Sequence, residues 1–421
     1  MRPVRSTEAH QTADFAELVC SNSLKSESEN SAPWLLKQEM RAAGSFLLAD
    51  ADATAVPAGH ALAVDRTAFS SRVAERLMAE TKITIRREEV TELDPNAADL
   101  TILASGPLTS KSLTDALQAI TGSDQLAFYD SISPIVDATT IDMDKVYFAA
   151  RWDKGTADYI NCPFTKDEYN AFIDALTAAE NVEEKQWEKL QYFEGCLPIE
   201  ETARRGRDTL RFGPMKPAGL TNPKTGRWPY ACVQLRCENL RADSYNLVGF
   251  QNHLKFGEQA RILRMIPGLE QATFLRYGQI HRNTYIHAPS LLTETLQLRA
   301  RTDILVAGQL SGVEGYTESI ASGMLAGIFA GELLSGRTPQ TAPRLSAHGS
   351  LMHYITHADT KKFQPANITF DLLPPLEEDL RRQIRDKKER HRIQCERAMG
   401  AWNEWFCTLG EKVHASAGGL R

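Results

Sequence analysis

Apolar positions recur along the chain in two rhythms. Phe69, Val73, Leu77 and Met78 return at helical spacing, which predicts a helix over residues 69–80 with one face against a core. Residues 32–40, opened by Pro33, read as a short amphipathic helix. Continuous apolar runs instead mark buried strands: 99–104, which ends at Ser105-Gly106-Pro107, and 303–308. Ile83-Thr84-Ile85 and residues 88–93 read as further strands, so these pieces together predict an α/β domain. From about Leu126 to Thr295 the pattern changes to isolated strands (146–149, 231–235, 245–250) with more aromatics and repeated Pro and Gly breaks. The α/β pattern then returns at Asp303. The middle segment is therefore expected to be an inserted α+β domain, 126–295, within a discontinuous Rossmann-like domain made of 1–125 and 296–421. A charged helix is predicted from Leu376 to about Met399.

Composition supports this layout. A chain of 421 residues has room for two or three domains of roughly 150 residues each. With 42% hydrophobic and 24% charged residues it can bury real cores, which excludes a disordered, collagen-like or coiled-coil chain. Lys plus Arg (48) against Asp plus Glu (54) leaves a net charge of -6, so a nucleic acid would have to be met by a local basic patch. The seven cysteines have no short regular spacing, which argues against a disulfide framework or a zinc site. Reduced thiols and no metal are expected. No apolar run approaches the roughly 18 residues that span a bilayer, and Met1-Arg2-Pro3-Val4-Arg5 leads into polar residues, so a cytoplasmic protein without membrane contact is expected.

Three features carry candidate chemistry. The strand at 303–308 delivers the chain into Gly308, Gly312 and Gly315, followed by a helix predicted over 314–334. The unpaired amides and positive dipole end of such a helix suit an anionic or electron-rich ligand, although a plain turn with a tightly packed helix has the same pattern. Second, Cys20 lies among Ser21, Asn22 and Ser23, and Cys196 lies between Gly195 and Leu197-Pro198; each is either an accessible nucleophile or a passive buried thiol. Third, Arg204, Arg205, Arg207, Arg211 and Lys216 cluster, and Lys361-Lys362 and the 381–392 tail are basic again. Such groups either bind phosphates or form a solvated, ion-paired face. Trp187 and Tyr316 are candidates for stacking on a flat ligand. A G-x-G-x-x-G turn after a first strand, the usual dinucleotide cradle, is not found in these residues.

Residues 15–24 (FAELVCSNSL), 57–66 (PAGHALAVDR), the Cys196 segment, His281-Arg282-Asn283-Thr284-Tyr285 and 308–319 together resemble the folate- and FAD-dependent tRNA uracil-5-methyltransferase family, TrmFO, from Met1 to about Leu376. The resemblance implies a flavoprotein that takes a one-carbon unit from 5,10-methylenetetrahydrofolate, reduces it with NAD(P)H-derived electrons through FAD, and methylates C5 of the T-loop uridine of tRNA. It implies that Cys196 adds to C6 of uracil and that Cys20 helps remove the C5 proton, with the two roles open to exchange. It further implies that Gly308, Gln309, Gly312, Val313, Glu314, Gly315 and Tyr316 line the flavin, with Tyr316 and Trp187 sandwiching the folate ring. Family members carry a strand, Gly-rich turn and helix ahead of Met-Arg-Pro; without that unit the 421 residues are expected to bind FAD weakly. The alternatives are a flavin oxidoreductase acting on a small molecule, or an FAD-free protein that only binds tRNA.

Overall fold

The computed structural model describes residues 9–123, 126–182 and 197–418. The chain opens with β1 (Ser23–Ser26), α1 (Ala32–Ala42), α2 (Phe46–Ala53), β2 (Ala55–Val56), β3 (Ala61–Val64), α3 (Arg66–Ala79), β4 (Thr101–Leu103) and α4 (Lys111–Thr121). Next come β5 (Leu126–Ser131), β6 (Ile135–Asp137), β7 (Tyr147–Ala149), β8 (Tyr159–Phe164), α5 (Lys166–Thr177), α6 (Ile199–Arg204) and α7 (Thr209–Phe212). They are followed by β9 (Ala231–Cys237), β10 (Ser244–Leu247), α8 (Phe256–Leu263), β11 (Phe274–Arg276) and β12 (Ile280–Tyr285). The last part holds α9 (Ala288–Leu291), β13 (Ile304–Val306), α10 (Tyr316–Leu334), α11 (Ala347–His357), α12 (Glu378–Gln383) and α13 (Lys387–Gly418).

Helix starts follow local chemistry. Ser31 accepts the Trp34 amide at the head of α1, Asp65 accepts the Ala68 amide at the head of α3, and Thr165 and Glu168 cap α5 reciprocally. The buried faces of α1 (Leu35, Leu36, Met40) and α3 (Phe69, Val73) share a core with β13, whose three residues are all buried. β13 runs parallel to β4, Leu305 opposite Ile102, and β3 is flanked by β1 and β2 in an antiparallel sheet. One hydrophobic core gathers residues from Leu18 to Leu117 and from Tyr285 to Leu409. A second gathers residues from Val136 to Ala272 around the antiparallel sheet β11-β6-β10-β9-β8-β7. The antiparallel pair β5 and β12 carries the chain between the two. No helix among the described residues is long and apolar enough to cross a membrane.

Two readings of the sequence need correction. Residues 83–85 and 88–93 form no strand: their side chains are mostly exposed and no strand among the described residues pairs with them, so the alternation of Ile83 and Ile85 has no core to face. The tail is also not one helix, because the chain leaves helical geometry at Ile384 before α13 begins at Lys387.

The second core contains a buried acid at the start of α6. Glu200 Oε1 accepts the His253 amide at 2.7 Å, while Oε2 is buried without a partner. Burial lifts this carboxyl from 4.5 to about 7. The folded chain thus keeps a proton that the unfolded chain releases, and this group erodes stability as pH rises from 4.5 towards 7. Glu200→Gln is expected to match the parent below pH 4.5 and to exceed its unfolding free energy above pH 7 by up to roughly 3 kcal/mol, at about 1.36 kcal/mol per pH unit. Urea unfolding at both ends of that window checks it, and a pH-independent difference would contradict it.

Candidate active site

The segment before β1 is clamped between the two cores. Asn22 is fully buried and makes four hydrogen bonds: its amide donates to Val64 O (3.1 Å) and Cys237 O (3.0 Å), and its oxygen accepts from Arg236 Nε (3.0 Å) and Asn246 Nδ2 (3.2 Å). Arg66 donates to Leu18 O at 2.8 Å and Val19 O at 3.1 Å and forms an ion pair with Glu238 at 2.7 Å. Burial disfavours the Arg66 cation, but Glu238 outweighs this and holds the guanidinium charged. Cys20 sits at the end of that segment.

Across from it stands Tyr316, the first residue of α10. Its hydroxyl oxygen accepts the amides of Val19 (2.8 Å) and Cys20 (2.9 Å) and lies 3.2 Å from Cys20 Sγ. A phenol has two acceptor lone pairs and one proton. With both lone pairs taken by backbone amides, the O–H is left to donate to the sulfur. Burial, then the Cys20 sulfur, pushes the Tyr316 hydroxyl well above its ordinary value, so it keeps that proton. The contact therefore sets a hydrogen-bond donor against the Cys20 sulfur, within electrostatic reach of the Arg66 guanidinium.

The Gly-rich turn is open at Gly308 and closed at its other two glycines. All three have positive φ, +69° at Gly308, +90° at Gly312 and +103° at Gly315, which explains glycine at each. A side chain at Gly312 would strike Phe363 at 2.5 Å, and one at Gly315 would strike Lys25 Nζ at 2.6 Å. At Gly308 an added Cβ would meet only Ser319 Cβ, at an ordinary contact distance of 3.9 Å, so nothing crowds the backbone there. Lys25 fills the start of α10, bonding Glu318 Oε1 and Asn367 Oδ1 at 2.6 Å each, while Gln309 Nε2 bonds Glu314 Oε2 at 2.6 Å. Val313 and Glu314 are buried. Thus the helix start is occupied by the protein's own charges, and a flat ligand finds Gly308 and the half-buried Tyr316 ring.

The remaining predicted residues are distributed as follows. Cys196 and Trp187 lie outside the described residues. Arg204 pairs with Glu201, and Arg207 with Asp174 at 2.6 Å. Arg205 lines a cavity of about 460 Å³ with Thr202, Thr209 and Phe212, and Lys361 and Lys362 are exposed in the turn after α11. Sequence reasoning singled out neither Glu238 nor Arg236, which lie on or just after β9 and hold the Cys20 segment from the other core. Arg66 was visible only as the end of a motif.

Residues 4–338 match the family described as "Glucose inhibited division protein A", GIDA. The chain is 65% identical over 408 residues to "Methylenetetrahydrofolate--tRNA-(uracil-5-)-methyltransferase TrmFO" of Koribacter versatilis, covering 97% of this chain and 92% of that protein. The proteins of the same name from Solibacter usitatus and Enterococcus faecalis are 59% and 53% identical, over 96% and 95% of this chain and 92% and 90% of theirs. Among solved structures, the form II crystal of Aquifex aeolicus GidA superposes with a TM-score of 0.67, 16% identity, and coverage of 96% of this chain and 70% of that one. At that identity the likeness is one of fold.

Proposed function

The chain belongs to the GIDA family and, within it, to the TrmFO methyltransferases, and from that membership we propose that it methylates C5 of a uracil in tRNA, the T-loop uridine, with methylenetetrahydrofolate as carbon donor. The observation that carries the reading is the Tyr316–Cys20 contact beside the Gly308 turn, a thiol set against a phenol hydroxyl on a segment that Arg66 holds. Uracil C5 is a weak nucleophile. A thiolate adding at C6 sends the ring electron pair towards C5 and O4; C5 then bonds the incoming carbon, its proton leaves to a base, and expulsion of the thiolate restores the ring. Cys196 is assigned the addition at C6 and Cys20 the proton, because the Cys20 sulfur lies 3.2 Å from the Tyr316 hydroxyl, a group that can steady it as it gives up and takes on a proton.

The flavin ring of FAD would rest on the Gly308 side of the turn. Gly308 lets a planar ring approach the backbone, and Gly308 and Tyr316 would hold it, with Gln309, Gly312, Val313, Glu314 and Gly315 supporting the loop from behind. Bound and reduced by NAD(P)H, it supplies the electrons that turn the transferred methylene into a methyl. Trp187 is proposed to cover the folate ring. The discriminating assay is tRNA methylation by the cofactor-loaded protein, which should require methylenetetrahydrofolate and NAD(P)H together. NAD(P)H oxidation with no methyl on tRNA would favour the small-molecule oxidoreductase.

Phosphate binding is assigned to Arg204, Arg205, Arg207, Lys361 and Lys362. Arg204 and Arg207 already have acid partners, so the two lysines should supply the larger share. Reversing Lys361 and Lys362 to Glu is expected to weaken tRNA binding and to reduce the steepness of its salt dependence by about 1 for each phosphate no longer neutralised. An unchanged slope would mean a merely solvated face.

A further inference from the structure

A second cluster of potential ligands lies on α11. His353 and His357 are four residues apart, on one helix face, and their rings stack with centroids 4.3 Å apart and an interplanar angle of 16°. Glu294, in the loop between α9 and β13, reaches the same face, its Oε1 3.1 Å from His357 Nε2. One ligand atom from each of the three lies within 4.8 Å of the others.

The hydrogen bonds around His357 decide which nitrogen carries its proton. Thr356 Oγ1 donates to Met352 O at 2.8 Å, so towards His357 Nδ1, 2.9 Å away, it acts as acceptor. His353 O, 3.3 Å from the same nitrogen, can only accept. The ring proton is therefore on Nδ1. In the neutral ring this leaves the Nε2 lone pair facing a carboxylate oxygen at 3.1 Å, two electron-rich atoms that need a cation between them. A second proton would satisfy this pair alone; a metal ion would satisfy it together with His353. An imidazole whose rear N–H is held by a backbone carbonyl is also the usual orientation of a metal-bound histidine.

We propose that Glu294, His353 and His357 form a binding site for a borderline divalent cation of the Zn²⁺, Co²⁺ or Ni²⁺ type, held by two imidazoles and one carboxylate. Ligand bonds of about 2.0–2.2 Å require the three donors to draw in slightly from their present spacing. His357 and Glu294 have side chains 43% and 53% exposed and are free to do so. Glu294 and His353 also line a cavity of about 250 Å³ with Arg344 and Met352, which provides room for a fourth ligand, and the Arg344 guanidinium favours an anionic one. The irregular cysteine spacing speaks only against thiolate sites and does not bear on this one. The site would tie the loop entering β13 to α11.

Cobalt(II) titration of the 421-residue chain, followed by visible absorbance, tests this. One equivalent should bind without the thiolate charge-transfer absorption that cysteine ligation would produce. His357→Ala and Glu294→Gln, both on the surface, should each weaken binding by roughly tenfold or more, and added metal should raise the melting temperature of the parent but not of the double variant. No stoichiometric binding, a thiolate band, or affinity unchanged in the double variant would overturn the proposal.

Discussion

Cys196→Ala in the cofactor-loaded protein is expected to lose methyl transfer by at least ~10³-fold while flavin reduction by NAD(P)H stays near that of the parent. The split follows from the chemistry: hydride delivery does not involve the thiol, whereas C5 of uracil has no route to nucleophilicity without addition at C6. Cys20→Ala should also stop turnover, but at a different stage. Without the proton acceptor, a C5-substituted uridine stays bonded to Cys196, and a protein–tRNA adduct should survive denaturation. Tyr316→Phe gives a milder test of the same contact. It removes the O–H that supports the sulfur and the oxygen that holds the Val19 and Cys20 amides, so kcat should fall and its acid limb should move to higher pH as the thiolate loses support. Full methyl transfer by Cys196→Ala would remove Cys196 from the addition at C6.

The second large effect concerns stability. Arg66→Met should destabilise the fold by about 3–5 kcal/mol, because it strands Glu238, only 5% exposed, without its ion pair and releases the carbonyls of Leu18 and Val19. Pairing it with Glu238→Gln should recover a good part of that loss, since the uncompensated buried charge is then gone. Chemical denaturation of the parent, the two single variants and the double variant closes the cycle. A coupling near zero would mean that the two residues act independently and that the ion pair does not hold the Cys20 segment.

Much of the scaffold was legible in the sequence because its signals are local. The Pro-started helix at Ala32, the amphipathic α3, the buried run that became β13 and the glycines after it each report their own environment, and the structure places all of them. Residues 83–93 misled for the same reason: alternation marks a strand only when another strand and a core are there to use it. The site was legible in its parts and not in its assembly. Cys20 and Tyr316 stood out as separate motifs, yet the contact between them spans 296 positions and depends on Asn22, Arg66, Arg236 and Glu238 drawing two cores together. Arg236 and Glu238 sit within or beside a strand whose pattern is otherwise that of core, so no periodicity flags them. Likewise the closed faces of Gly312 and Gly315 come from Phe363 and Lys25, which no inspection of the turn itself brings to mind.

Release of tritium from tRNA labelled at C5 of uridine measures the proton removal proposed for Cys20. With methylenetetrahydrofolate and NAD(P)H present, the parent should release tritium in step with methyl incorporation at the T-loop uridine, and Cys20→Ala should retain the label in a tRNA still bonded to Cys196. Release by Cys20→Ala at the parent rate, or methylation of tRNA with no loss of the label, would contradict it.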